Sequence, residues 1–210
     1  MDKMSKSGDQ LQQEGKQPSN SSGIAFQKSV ITYLHDLVAL LAGVLLVFSL
    51  LFRIVVVSGP SMNNTLLDGD WLLLIGNTFY TEPKYGDIVV ASKDSFKDGE
   101  PIIKRVIATE GQKVDIDFAA GIVYVDDIAL DEPYTLTATT VMEGVTFPIT
   151  VDDGCVFVMG DNRINSKDSR SHEIGLIDTR EILGKAVFLF FPGTNRNAVS
   201  RDFGRIGVVS

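Results

Sequence analysis

Sixteen consecutive residues from Leu37 to Phe52, LVALLAGVLLVFSLLF, carry no charge, and they constrain this chain more than any other feature. Ile31, Tyr33 and Leu34 extend the run upstream, past His35 and Asp36. A helix rises about 1.5 Å per residue, so a bilayer core of roughly 30 Å takes about 20 residues. The stretch 31–53 meets that length, with Asp36 near one interface and Arg53 placed to snorkel at the other. Apolarity on every side leaves no polar stripe of the kind a soluble core helix presents. A cleaved leader has a shorter apolar region, lies nearer the start and ends in a small-residue cleavage site. Here a polar segment of about 30 residues precedes the run, and Arg53-Ile-Val-Val-Val57 follows it. The reading is an uncleaved transmembrane helix over 31–53.

Charge is divided by that helix. Residues 1–29 carry Lys3, Lys6, Lys16 and Lys28 against Asp2, Asp9 and Glu14, a net of +1. From residue 54 onward there are 14 Lys and Arg against 23 Asp and Glu. The positive-inside rule puts the Lys-bearing end in the cytoplasm and residues 54–210 outside. Residues 1–30, rich in Ser, Gln, Gly and Lys, have too little apolar content to offset ordering entropy and are expected to form a disordered cytoplasmic tail.

The net charge of −8 argues against a nucleic-acid partner, which needs a basic face. A single cysteine, Cys155, forbids an intrachain disulfide, and with only His35 and His172 beside it no clustered metal site or cofactor is expected.

After residue 54 the pattern changes to short β-branched runs. They include IVVVSG at 54–59, WLLLIG at 71–76, DIVVAS at 87–92, PIIKRVIAT at 101–109, KVDID at 113–117, GIVYV at 121–125, CVFVMG at 155–160 and GKAVFLFF at 184–191. Asp, Gly and Pro punctuate them, as at Asp68-Gly69-Asp70 and Asp152-Asp153-Gly154. This spacing predicts a mainly β fold, an antiparallel β-domain, with one short helical turn within 178–183.

Three segments put polar residues where a fold alone does not need them. In Ser58-Gly-Pro-Ser-Met-Asn-Asn-Thr-Leu66, Gly59 and Pro60 shape a sharp backbone before Ser61. A serine so held can offer both its hydroxyl and its own N–H to a carbonyl; as an isolated residue it is also an ordinary solvated turn serine. In Pro101-Ile-Ile-Lys-Arg-Val-Ile-Ala108, strand alternation sends Lys104 and Arg105 to opposite faces. A lysine flanked by aliphatics is desolvated, which lowers its pKa towards use as a base; the plainer reading is a snorkelling edge-strand lysine. Gly160-Asp-Asn-Arg-Ile-Asn-Ser-Lys-Asp-Ser-Arg170 is almost wholly polar yet follows the apolar CVFVMG. Its start must sit against a core, where polar groups need partners.

Together these segments resemble the bacterial type I signal peptidases. The family's S-M-x-P-T-L pattern is similar to Ser61–Leu66, with Asn64 in place of proline. G-D-x-V is similar to Gly86–Val89, K-R-V-x-(A/G)-x-x-G-D/Q to Lys104–Gln112, and G-D-N-R-x-N-S-x-D-S-R to Gly160–Arg170. The likeness runs from about residue 35 to 192, taking in Gly184–Phe188.

The resemblance implies Ser61 as nucleophile and Lys104 as general base, a dyad without histidine. It implies that Ser166 hydrogen-bonds the lysine amine, that Asp168 and Arg170 form a supporting ion pair, and that Asp161 and Arg163 brace the same loop. Some members carry a second oxyanion donor two residues before the nucleophile; Gly59 stands there, which leaves Ser58 or backbone donors alone. The implied substrates are signal-peptide-bearing preproteins cut after small residues of the A-x-A type. They would lie extended against Val57, Ser58, Gly59, Met62, Leu66, Ile102 and Ile103. The lipid bilayer and the protein-export machinery are the other implied partners.

Two rivals differ in sequence terms. A soluble, DNA-linked Ser–Lys peptidase lacks the apolar run. A catalytically idle, membrane-tethered homologue that binds partners is expected to lose Ser61 or Lys104, and both are present. The S-x-x-K arrangement of penicillin-binding sites is absent.

Overall fold

A computed structural model describes residues 21–194 and 200–209. The chain divides into two compact units, Met1–Leu46 and Val47–Ser210. Helix α1 spans Ser21–Leu51. Within it Phe26–Leu51 has a mean hydropathy of 2.3 and is long and apolar enough to cross a bilayer.

Two boundaries differ from the sequence reading. The expected disordered tail over 1–30 is helical from Ser21 onward, and its first 20 residues lie outside those described. Once a helix is nucleated, each added residue gains a hydrogen bond, so the apolar segment carries Ile24–Val30 along with it. The helix also stops at Leu51, before residue 53, because Phe52 and Arg53 already belong to a strand. The β-branched Ile54-Val55-Val56 run favours that strand.

Among the described residues the larger unit is antiparallel β. Its strands are β1 (Phe52–Val56), β2 (Trp71–Gly76), β3 (Ile88–Ala91), β4 (Ile102–Thr109), β5 (Lys113–Asp117) and β6 (Ile122–Val125). These are followed by β7 (Ile128–Ala129), β8 (Ile149–Thr150), β9 (Cys155–Met159), β10 (Ile177–Asp178), β11 (Ile182–Phe191) and β12 (Gly207–Val208). An eight-stranded sheet runs β1-β2-β11-β3-β4-β9-β10, with β12 added to β11. A smaller sheet runs β7-β6-β5-β8. The expected turn at 178–183 is a 3-10 turn, Thr179–Glu181, closed by a capping box in which the Asp178 side chain accepts from Arg180 N.

The central strands of the large sheet are buried on both faces, so their sequences read as continuous apolar runs. Ile88 and Val90 of β3 join one core cluster with Leu72, Leu74 and Ile103. Val89 and Ala91, the alternate residues, join another with Ile102, Val106 and Val158. β4 pairs with β3 along Ile102–Arg105, and with β9 only from Arg105 onward. The expectation of a snorkelling edge strand therefore does not apply: β4 is central, and every residue from Ile102 to Ala108 is buried.

Candidate active site

Three chain segments meet where β9 ends. β9 leaves Met159 opposite Arg105, and the chain turns at Gly160 into the polar segment. That segment folds back against the loop after β1, where Asn162 N donates to Ser61 O at 3.0 Å and Asn162 Nδ2 to Pro60 O at 3.1 Å. The loop is closed by turns from Asn63 N to Pro60 O and from Leu66 N to Met62 O. Gly160 has no room for a side chain: a Cβ there would run into Ser166 Oγ and come within 2.5 Å of the Ser61 carbonyl. Gly160→Ala is expected to destabilise the domain by about 1–3 kcal/mol and to displace Ser61. Thermal melting paired with a cleavage rate checks this, and an unchanged rate would overturn it.

Lys104 Nζ lies 3.0 Å from Ser61 Oγ. Its side chain is enclosed, leaving the residue 5% exposed, and burial pushes the amine down from 10.5 to about 8. The carboxylates of Asp168, Glu143 and Asp161 oppose that depression, and the Arg170 guanidinium adds to it. An amine in this range is available as a proton acceptor in mildly alkaline solution, with the hydroxyl it would activate already in reach. Ser61 is half-buried, and its N–H makes no hydrogen bond among the described residues. The Gly59 N–H is occupied by Asp68 Oδ1 at 2.8 Å.

The supporting residues are all buried, though not all as expected. Asp168 and Arg170 do pair, with Nε to Oδ1 at 2.8 Å and Nη2 to Oδ2 at 2.9 Å, and both side chains are fully enclosed. Asp168 Oδ2 also accepts from Gly160 N at 3.0 Å, which ties the pair to the turn under Ser61. The implied bond between Ser166 and Lys104 is not made. Ser166 Oγ is buried without a partner among the described residues, and the amine instead donates to its neighbour's carbonyl, Ile103 O, at 3.0 Å. Asp161 and Arg163 brace the segment through residues outside it. Asp161 takes both Nε and Nη2 of Arg105 at 2.9 Å and the Thr65 hydroxyl at 2.5 Å. Arg163 reaches Glu132 and Thr139.

Sequence reasoning missed these partners. Arg105 was the available signal, since a guanidinium in an otherwise apolar central strand requires a carboxylate; it also lies 4.0 Å above the Tyr134 ring. Glu132 and Glu143 carried no such signal. Glu143 sits 3.7 Å from Arg170, and burial together with the Asp168 charge raises its pKa.

A groove of about 410 Å³ opens beside Ser61 and Lys104. Val57, Ser58, Gly59, Met62, Ile102 and Ile103 all line it. Leu66 does not; it is wholly buried in the core cluster beneath, because the Met62–Leu66 turn points it inward. Phe96, Glu100 and Lys167 line the groove without having been expected there. No cluster of His, Cys, Asp or Glu that could hold a metal ion occurs among the described residues.

An antiparallel β-domain with a hydroxyl and a buried amine at the floor of an apolar groove has the makings of a peptide hydrolase. Residues 30–191 match the family model described as signal peptidase, peptidase S26. A probable signal peptidase I-1 of Synechocystis sp. is 38% identical over 72% of this chain and 80% of its own length. Signal peptidase I T of Bacillus subtilis is 36% identical, over 79% of this chain and 89% of its own. Among solved structures, a signal peptidase I from Enterococcus faecalis aligns with a TM-score of 0.42 at 26% identity, covering 50% of this chain and 97% of that one. The chain belongs to the signal peptidase family, peptidase S26, as a type I signal peptidase, an enzyme that cleaves signal peptides.

Proposed function

We propose that this chain is a membrane-anchored serine endopeptidase in which Ser61 is the nucleophile and Lys104 the general base, cutting preproteins after small residues of the A-x-A type. The observation that carries this reading is the 3.0 Å approach of the buried Lys104 amine to Ser61 Oγ. In the reactive form the amine is neutral. It takes the Ser61 proton as Oγ attacks the scissile carbonyl, and the Ser61 N–H faces the oxyanion that forms. The resulting ammonium gives its proton to the leaving amine, and the carbonyl carbon stays esterified to Ser61. Water then attacks the ester with the amine again taking the proton, which returns Ser61 and releases the acid. The substrate lies extended along Val57–Gly59 and the 102–104 edge of β4, which β9 leaves uncovered. Small side chains suit a wall made by the nearly enclosed Ile102, Ile103 and Met62.

The apolar helix is the anchor, with the Lys-bearing end cytoplasmic and the β-domain outside. Protease treatment of intact cells should digest the β-domain; survival of that domain would reverse the orientation.

The test of the chemistry is cleavage of a preprotein by the purified full chain in detergent, with the new N-terminus sequenced. Ser61→Ala should leave no cleavage, and full activity in that variant overturns the assignment. Because the base must be neutral, kcat/KM should rise with pH through a midpoint near 8. The Glu143 charge holds the amine up, so Glu143→Gln should move that midpoint lower. A flat profile from neutral pH to above 9 or so contradicts Lys104 as the base.

A further inference from the structure

The family match ends at residue 191, but the chain continues and returns to the site. β12 pairs with β11, setting Val208 opposite Phe188 and Gly207 opposite Leu189. Just before it, the 3-10 turn Phe203–Arg205 presents a guanidinium to the far end of the nucleophile loop. Arg205 Nη1 donates to Asp70 Oδ1 at 2.9 Å, and Nη2 donates to Asp70 Oδ2 at 2.6 Å and to the Thr65 carbonyl at 3.2 Å. Asp70 is fully enclosed and also accepts from Leu67 N at 2.7 Å and Gly193 N at 2.6 Å. One carboxylate thus joins the nucleophile loop, the exit of β11 and the C-terminal segment.

Thr65 is held twice. Its hydroxyl goes to Asp161, which grips Arg105 beside the Lys104 base, and its carbonyl goes to Arg205. The first hold comes from within the family match and the second from outside it. The planar fork of arginine meets both oxygens of a carboxylate in parallel while also reaching the carbonyl, a geometry that the single nitrogen of lysine does not reproduce.

We infer that Arg205 is a positioning residue for Ser61: the segment beyond the family match fixes the nucleophile loop through Thr65 and Asp70. This rests on Ser61 being the nucleophile. A loop free to drift by about 1 Å loses on the order of a hundredfold in rate. Loss of one of two holds should therefore lower kcat by about tenfold or more and change KM far less, since the β4 side of the groove, with Ile102 and Ile103, stays in place.

The experiment measures kcat and KM of the full chain in detergent, on an A-x-A preprotein, well below the thermal midpoint. Arg205→Ala, Arg205→Lys and Ser61→Ala are run side by side. A low kcat with a much smaller change in KM in Arg205→Ala, partly restored in Arg205→Lys, is the expected result. A kcat within about twofold of the unsubstituted chain in a folded Arg205→Ala overturns the inference, whatever happens to the thermal midpoint. If Arg205→Ala does not fold, Arg205→Lys decides: a full kcat overturns the inference, and a reduced kcat with a native near-UV spectrum supports it. Full activity in Ser61→Ala brings down the proposed nucleophile instead, independently of Arg205.

Discussion

Lys104→Met is expected to abolish preprotein cleavage and, near neutral pH, to raise the thermal midpoint. Burial holds the Lys104 amine near 8 in the folded protein, against 10.5 as its ordinary value. The folded chain therefore binds this proton less tightly than the unfolded chain. Between those two values the unfolded state carries more protons, so stability rises with pH through the window. Below it the protein bears the whole penalty of an enclosed ammonium, about 3 kcal/mol. Methionine has nearly the same shape and no charge. Its introduction leaves Ser61 Oγ and Ile103 O without their donor, at about 1 kcal/mol or less each. The net gain is about 1–2 kcal/mol, or a rise of a few degrees in a unit of this size. Melting curves at neutral pH and above 10.5 check this, because the advantage should vanish once the native lysine is neutral in both states. A midpoint that falls at neutral pH would show that the amine is not penalised by its surroundings.

Asp168→Ala is expected to have the largest effect on stability. It strands the Arg170 guanidinium in a fully enclosed site where, among the described residues, the Val141 and Ser166 carbonyls remain in hydrogen-bond reach and Glu143 lies at 3.7 Å. Breaking a buried pair from one side costs about 3–5 kcal/mol. At roughly 2–4 °C per kcal/mol, the thermal midpoint should fall by about 10 °C. The Gly160 N–H loses its acceptor at the same time, so cleavage should fall even at temperatures where the variant is folded. Glu173→Gln is the matched control. Its pair with Lys167 is as short, at 2.9 Å, but both side chains are more than half exposed. Screening should hold that change to within about 0.5 kcal/mol. Calorimetry on the two variants checks the contrast, and equal shifts would mean burial is not what sets the strength of the Asp168–Arg170 pair.

Much of this was legible in local pattern. The eight longest strands follow from β-branched runs and their punctuation, and the helix from one uncharged stretch. The two-residue strands β7, β8, β10 and β12 were not legible. A pair of residues carries no period, and only a neighbouring strand makes it a strand. Lys104 was placed correctly among its aliphatic neighbours by alternation, yet the burial of Arg105 on the opposite face was not foreseen. That burial depends on β4 lying between β3 and β9, and on Asp161 arriving from a segment 56 residues away.

The division follows from range. Residue order alone determined the elements, the candidate hydroxyl and amine, and the polar segment that had to find partners, because propensity, periodicity and charge act over a few residues. Only the tertiary structure decided who those partners are. It put Leu66 in the core and left Ser166 Oγ unpaired. It gave Arg163 to Glu132, and it brought Arg205 back to Thr65 across 140 residues. Enclosed charges and hydroxyls are satisfied by whatever the packed sheets place within about 3 Å of them, and sequence separation says nothing about that distance.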